Sequence, residues 1–253
     1  MRVKNLVRPA VEQLSPYVCA RDLCKKADIF MDANENSFGS VLENSGLSAT
    51  GFELNRYPDP DCTLLKNALA NYCCVGSENV IVGNGSDEII SLAVNTFAEK
   101  GDSLISLVPG YSMYEIVGEI AGVESILVET GVGFQPSLQK ILLAKKENTK
   151  LLLFPSPNTP VGVPVSENKI REILEVFPGI VFLDEAYYEF YGKTSIGLLK
   201  EFDNLIISRT LSKAWGLANL RVGYAIASVD AINAMRKIKL PYNVNGLTQQ
   251  LAF

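Results

Sequence analysis

The chain has 253 residues, of which 47% are apolar and 20% charged, so it can bury a large core and is not intrinsically disordered. Its formal net charge is only −5, and without a basic cluster we expect neither nucleic acid nor a membrane surface as a partner. The chain contains no histidine, which excludes Ser-His-Asp and Cys-His hydrolases and zinc sites built on imidazole. We predict no metal site, and any proton transfer must use other side chains.

The N-terminal residues MRVKNLVRPA lack the apolar segment of a signal peptide, and no apolar run approaches the ~18 residues that a membrane helix needs. Five cysteines, with Cys73 and Cys74 adjacent, are typical of a reducing compartment. We therefore expect a cytoplasmic protein.

Short, continuous apolar runs recur along the chain with helical spacing between them. Unbroken apolarity is typical of strands that helices cover on both faces. The predicted strands are 80–82, 104–108, 125–128, 151–154, 180–183, 205–207 and 222–227, and the predicted helices are 86–99, 111–121, 136–145 and 166–177. The pattern predicts an α/β fold, a wound, mostly parallel seven-stranded sheet with helices on both faces.

Three regions differ in composition. Residues 1–45 are mixed and read as an N-terminal arm or as part of a small domain, and 46–245 hold the sheet. Residues 246–253 begin a helix that meets no stop signal before the chain ends at QQLAF. We expect a large domain whose C-terminal small domain is missing or truncated.

In open α/β sheets, ligands bind beyond the carboxyl ends of the strands, and five predicted strands end in residues suited to chemistry. The first ends in the turn 83–87, which is either a plain helix cap or an anion site. The other four ends carry Tyr111; Asn158; Asp184 with Tyr187; and Ser208, Thr210, Ser212, Lys213 and Arg221. Each feature alone is more often structural, and no G-x-x-x-x-G-K-[ST] segment supports a nucleotide hydrolase.

Together these residues fit one ligand, pyridoxal phosphate. Lys213 near a buried strand end suits Schiff-base chemistry, and Asp184 can pair with a protonated pyridine nitrogen. Asn158 and Tyr187 can bond the phenolic oxygen of the ring, while Tyr111 stacks on its face. The predicted phosphate ligands are Ser86, Thr210, Ser212 and Arg221 with the helix amides.

The motif order resembles that of the fold-type-I pyridoxal-phosphate aminotransferases and, among them, the histidinol-phosphate aminotransferases of histidine biosynthesis. The motifs are N-E-N, Y-P-D-P, G-N-G-S-D-E, P-G-Y-S-M-Y, S-P-N-T-P-V-G, D-E-A-Y and S-R-T-L-S-K-A-W-G-L-A-N-L-R-V-G. The resemblance extends from about Leu6 to the end of the chain and includes the segment 239–245. One departure is Val161, where the family usually has threonine.

The resemblance implies a role for each matching residue. Lys213 matches the lysine that bonds the cofactor and moves a proton, with Asp184 and Tyr187 as its catalytic partners. Asp87 joins the phosphate ligands, and Thr210 is a weaker candidate among them. Tyr57 matches a tyrosine that reaches the cofactor phosphate of the neighbouring subunit, which implies a homodimer with shared sites, and Asn34 lies at the substrate entrance.

The implied activity is transamination between L-histidinol phosphate and 2-oxoglutarate, so the expected partners are a small amine and a 2-oxo acid. Two alternatives stay open. An aromatic aminotransferase or a threonine-phosphate decarboxylase would share every cofactor contact, and a truncated paralogue could fold without catalysing a reaction.

Overall fold

A computed structural model describes residues 3–7, 12, 26 and 53–253. Its centre is a seven-stranded sheet formed by β1 (Val80–Asn84), β2 (Ser103–Val108), β3 (Glu124–Glu129), β4 (Thr149–Pro155), β5 (Ile180–Asp184), β6 (Leu205–Thr210) and β7 (Val222–Ala227). The strand order is β1-β7-β6-β5-β4-β2-β3. The predicted fold class is confirmed.

Only β7 runs against its neighbours: it pairs antiparallel with β1 and β6, whereas the other pairs are parallel. Consequently, β7 begins at the edge where β1, β5 and β6 end. This direction brings Arg221, which directly precedes β7, to the same edge as Asp184 and Thr210.

Eight α-helices accompany the sheet in the described part of the chain. They are α1 (Thr63–Cys73), α2 (Ser86–Phe97), α3 (Met113–Ile120), α4 (Leu138–Ala144), α5 (Glu167–Val176), α6 (Tyr188–Tyr191), α7 (Val229–Arg236) and α8 (Gly246–Leu251). Four of these helices are capped at the N-terminus by a side chain that accepts a hydrogen bond from a backbone N–H; the capping residues are Ser137, Ser166, Ser228 and Asn245. The four helices predicted by spacing correspond to α2, α3, α4 and α5.

Apolar side chains cover the sheet on both faces because successive residues of a strand point to opposite sides. In β5, Ile180 and Phe182 pack in one core with α2, α3 and α7. Val181 and Leu183 pack in the other core with α1, α4 and α5. Continuous apolar runs are therefore required in the central strands.

Strand β6 is longer than predicted, since it continues through Ser208 to Thr210, and these two residues are fully buried. They therefore belong to the sheet, and the loop that carries Lys213 begins only after them. The predicted arm 1–45 lies almost entirely outside the described residues, so the three-region division remains a prediction.

No helix in the described ranges is long and apolar enough to cross a membrane.

Candidate active site

A pocket lies at the edge of the sheet where the parallel strands end, with an empty volume of about 600 Å³ that includes solvent at its mouth. It is lined by Ser86, Asp87, Tyr111, Thr159, Asp184, Ala186, Tyr187, Thr210, Ser212, Lys213 and Arg221. All of these except Thr159 and Ala186 are site residues predicted from the sequence. Side chains up to 135 residues apart therefore line one cavity, because β1, β5 and β6 end at the edge where the antiparallel β7 begins.

Asp184 supplies a buried carboxylate, with only 4% of the residue exposed. Its Oδ1 accepts the amide of Ala186 at 3.0 Å, and its Oδ2 accepts the hydroxyl of Tyr114 at 2.9 Å. Burial raises the pKa of Asp184 to about 6, although these two hydrogen bonds favour the ionised form. The carboxylate is therefore charged at neutral pH and can hold a cation in the pocket.

Tyr114 is a site residue that the sequence reasoning missed. It is fully buried, and its ring meets those of Tyr111 and Phe182 edge to face. The available signal was its spacing: Tyr111 and Tyr114 are three residues apart in P-G-Y-S-M-Y, so both rings can face the same side of the chain as α3 begins.

The opposite end of the pocket is suited to an anion. Helix α2 begins at Ser86 with its first amides unpaired within the helix, and Arg221 adds a guanidinium. Arg221 Nη2 lies 3.4 Å from Asp87 Oδ2, while Asp87 Oδ1 accepts the hydroxyl of Tyr111 at 2.9 Å. Asp87 therefore aims the arginine and the aromatic ring at one space.

Thr210 and Ser212 form the turn that leads from β6 to Lys213. The Thr210 hydroxyl donates to the carbonyl of Val222 at 3.2 Å and accepts the amide of Ser212 at 3.1 Å. The Thr210 hydroxyl therefore bonds two backbone groups, and these bonds stabilise the turn before Lys213.

Lys213 is exposed at the pocket, and its Nζ lies 5.6 Å from the centroid of the Tyr187 ring. Its loop is closed by two backbone bonds, from Leu217 to Leu211 and from Gly216 to Lys213, each of 3.0 Å. Gly216 has a φ of +66°, which favours glycine.

Two glycines allow β7, Arg221 and the start of α2 to pack closely at the end of the pocket that is suited to an anion. A Cβ on Gly85, whose φ is +84°, would lie 2.5 Å from Nη2 of Arg221. A Cβ on Gly223 would lie 2.2 Å from the amide nitrogen of Ser86 and 2.3 Å from the carbonyl carbon of Gly85. Strand β7 can therefore approach the start of α2 only without a side chain at residue 223.

The Gly223→Ala variant is expected to lose about 3 kcal/mol of unfolding free energy because backbone atoms on both sides must shift. Urea unfolding would measure this loss. Gly197→Ala is the matched control, since a Cβ there meets nothing within 4 Å. Equal midpoints for both variants would contradict the close approach.

Two predicted residues of the described part of the chain, Asn158 and Tyr57, do not line the pocket. Asn158 is buried beside an adjoining groove that shares Thr159 and Tyr187 with it, and its Nδ2 donates to the carbonyl of Pro109 at 3.0 Å. Its Oδ1 has no partner in the described part of the chain. Tyr57 is 55% exposed and stacks on Tyr242 with centroids 4.6 Å apart. Asn34 lies outside the described residues.

The chemistry of the lining fits pyridoxal phosphate. A guanidinium, hydroxyls and helix amides suit the phosphate dianion, a buried carboxylate suits a protonated ring nitrogen, and a lysine amine lies beside an aromatic ring. Among the described residues, no group of three or more acidic or cysteine side chains could hold a metal ion.

The sequence profile of the family described as "Aminotransferase class I and II" matches residues 29–253. The chain therefore belongs to this family. Family membership and the similarities described next confirm the predicted pyridoxal-phosphate-dependent aminotransferase.

Two curated relatives carry the name histidinol-phosphate aminotransferase. The protein of Caldanaerobacter subterraneus subsp. tengcongensis is 39% identical over 99% of this chain and 72% of its own length. The protein of Parabacteroides distasonis is 42% identical over 99% of this chain and 70% of its own length. The chain thus spans about seven tenths of these relatives.

A solved structure is similar over nearly the whole chain. The histidinol-phosphate aminotransferase from Sinorhizobium meliloti, in complex with pyridoxal-5′-phosphate, is 25% identical with a TM-score of 0.74. The match covers 96% of this chain and 69% of that structure.

Proposed function

We propose that this chain binds pyridoxal phosphate in the pocket at the sheet edge and transfers the amino group of L-histidinol phosphate to 2-oxoglutarate. The observation that carries the proposal is the single cavity that joins Lys213, the buried Asp184 and Arg221. The names of the relatives support the substrate, since both are histidinol-phosphate aminotransferases.

The residues of the proposed cofactor site form two groups, one at each end of the pocket. At the anion end, Arg221, the hydroxyls of Ser86 and Ser212 and the first amides of α2 hold the phosphate, while Asp87 orients Arg221. Thr210 shapes the turn at this end. At the inner end, Asp184 receives the ring nitrogen, and Tyr111 covers one face of the ring and excludes water.

When bound, pyridoxal phosphate supplies an aldehyde carbon for an amine and a pyridinium ring that withdraws electrons. Asp184 keeps the ring nitrogen protonated because its ionised carboxylate is buried where an uncompensated charge is costly. Lys213 Nζ would hold the cofactor at its aldehyde carbon, whose oxygen would leave as water, and as a free amine it would move a proton at the substrate carbon that bears the amino group. Tyr187, beside Lys213, donates its hydroxyl to the phenolic oxygen.

Asn158 is proposed as the second donor to that oxygen, after a local adjustment of its amide from the carbonyl of Pro109. The amide supports this role because its Nδ2 carries two N–H groups and donates one hydrogen bond, to the carbonyl of Pro109.

The remaining expectations concern the assembled enzyme. We propose a cytoplasmic homodimer in which Tyr57 reaches the phosphate in the neighbouring subunit and Asn34 lines the substrate entrance. The exposed position of Tyr57, away from the pocket of its own chain, supports this role. Sedimentation with added pyridoxal phosphate would measure the dimer.

The test is an absorption spectrum of the chain with pyridoxal phosphate, before and after addition of L-histidinol phosphate. We expect a visible band that Lys213→Ala abolishes and that the substrate converts to the absorption of the aminated cofactor. Lys193→Ala, a change at another exposed lysine, is the control and should behave as the parent.

If an aromatic amino acid converts the band instead, or if threonine phosphate releases CO₂, the proposed substrate is wrong. The proposed cofactor site is unaffected by either result. A band that no amine converts would support a chain that binds cofactor without turnover. Failure to form any lysine-dependent band would overturn the proposal.

A further inference from the structure

Behind the proposed cofactor site, on the opposite face of the sheet, lies a buried ion pair that the mechanism does not use. Glu185 follows Asp184, and Arg209 precedes Thr210, so the two side chains point away from the pocket. Arg209 is 1% exposed and Glu185 3%. Arg209 Nε and Nη2 both donate to Glu185 Oε2, at 3.0 and 2.8 Å.

The pair holds the segment that follows the short helix α6. Glu185 Oε1 accepts the amide of Ser195 at 2.8 Å, and Glu185 Oε2 accepts the hydroxyl of Thr194 at 2.8 Å. Arg209 Nη2 donates to the same hydroxyl at 2.7 Å. Both charges therefore contact the chain just beyond the C-terminal end of α6.

The same arginine also holds the beginning of α6. Its guanidinium carbon lies 3.6 Å from the centroid of the Tyr188 ring, a close cation–π contact. Tyr188 also donates its amide to the carbonyl of Glu185 at 2.9 Å. Tyr188 is adjacent to Tyr187, which lines the pocket beside Lys213.

Helix α6 reaches the lysine loop by a second contact. Glu189 Oε1 accepts the indole N–H of Trp215 at 3.0 Å, and Trp215 lies two residues from Lys213. A displacement of α6 would therefore move Tyr187 and also change the hydrogen bond between Glu189 and Trp215 that holds the Lys213 loop.

We propose that Arg209, paired with Glu185 and stacked on Tyr188, is a positioning residue that fixes α6 and so sets Tyr187 and the Lys213 loop from behind the sheet. A buried ion pair adds little net stability compared with apolar residues of equal volume. The planar guanidinium, with two nitrogens donating to one carboxylate oxygen, instead defines an orientation. The expected effect on the affinity for pyridoxal phosphate rests on the proposed function, whereas the expected effect on the position of α6 does not.

The test uses the one tryptophan of the chain as a reporter. Tyr188→Leu removes the ring beneath Arg209 without leaving a buried charge unpaired, and Tyr188→Phe keeps the ring. In the cofactor-free chain we expect Tyr188→Leu to shift Trp215 emission to longer wavelength and to increase its quenching by acrylamide. Tyr188→Phe should restore parental values.

With pyridoxal phosphate, Tyr188→Leu is expected to raise the dissociation constant by about 3- to 10-fold, as loss of one cation–π contact and of preorganisation predicts. Arg209→Lys, which keeps the charge but not the planar fork, should change both readouts in the same direction. If that variant does not fold, the two Tyr188 variants decide.

Arg171→Lys is the matched control. Arg171 also pairs with a glutamate, Glu201, and its guanidinium carbon lies 5.7 Å from the centroid of the Phe202 ring. This pair is partly exposed to solvent and lies away from α6. It should leave emission and cofactor affinity unchanged. Parental emission and affinity in Tyr188→Leu would overturn the proposal, even if its urea midpoint fell. If the parent chain fails to bind pyridoxal phosphate, the proposed function fails and the emission of the Tyr188 variants still decides the positioning role.

Discussion

Lys213→Ala is expected to abolish transamination, with kcat at least about 10⁴-fold lower, because the chain loses both the amine that bonds the cofactor and the group that moves the proton. Another lysine cannot easily substitute, since Lys213 is the only lysine that lines the pocket in the described part of the chain. Stopped-flow absorbance during a single turnover would measure this loss.

The same variant should still bind pyridoxal phosphate without a covalent bond, because Arg221, the helix amides and Asp184 remain. Equilibrium dialysis would measure this residual affinity. Lys193→Ala, outside the pocket lining, should turn over as the parent. Normal turnover by Lys213→Ala would show that a different group carries the chemistry.

Asp184→Asn is expected to lower kcat by about 10²- to 10³-fold, as the loss of one preorganised electrostatic partner does in other enzymes. An amide cannot keep a ring nitrogen protonated, whereas the ionised Asp184 can. Turnover with L-histidinol phosphate would measure the decrease. Tyr114→Phe, which removes only the hydrogen bond to Asp184 Oδ2, should cause a smaller loss.

The same substitution should change how stability depends on pH in the cofactor-free chain. The pKa of Asp184 is about 6 in the fold, against 3.8 for an unperturbed aspartate. Folding is therefore favoured by this group below about pH 4, and that stabilisation is lost as pH rises through 6. At 1.36 kcal/mol per pKa unit, the loss approaches about 3 kcal/mol.

Asparagine does not ionise, so Asp184→Asn should become more stable relative to the parent between pH 4 and pH 8. Urea midpoints of both proteins at the two pH values would measure the difference, in which other titrating groups cancel. A constant difference across this range would contradict a raised pKa for Asp184.

Sequence patterns were sufficient to predict the strands and most of the pocket. Buried parallel strands must be apolar throughout, so their ends are visible as the points where polar residues begin. Because those ends share one edge, the sequence assigns Asp184, Tyr111 and Lys213 to one site. The predicted end of β6 at residue 207 is wrong, because Ser208 and Thr210 are polar but buried in the sheet.

Contacts between distant elements could not be predicted in this way. The Tyr114 hydroxyl reaches Asp184 across 70 positions of sequence, and the short approach of Gly223 to Ser86 depends on the antiparallel direction of β7. Asn158 and Tyr57 matched motifs, but a motif does not determine which cavity a side chain enters.

The sequence by itself determined the class of fold, the chemistry of the residues at the strand ends and the absence of any histidine. Apolar periodicity and residue type carry this information because they act locally. Only the tertiary structure decided the surroundings of Asp184 and the pairing of Arg209 with Glu185. Desolvation and hydrogen-bond geometry depend on atoms that folding brings together from remote segments, and no local pattern records them.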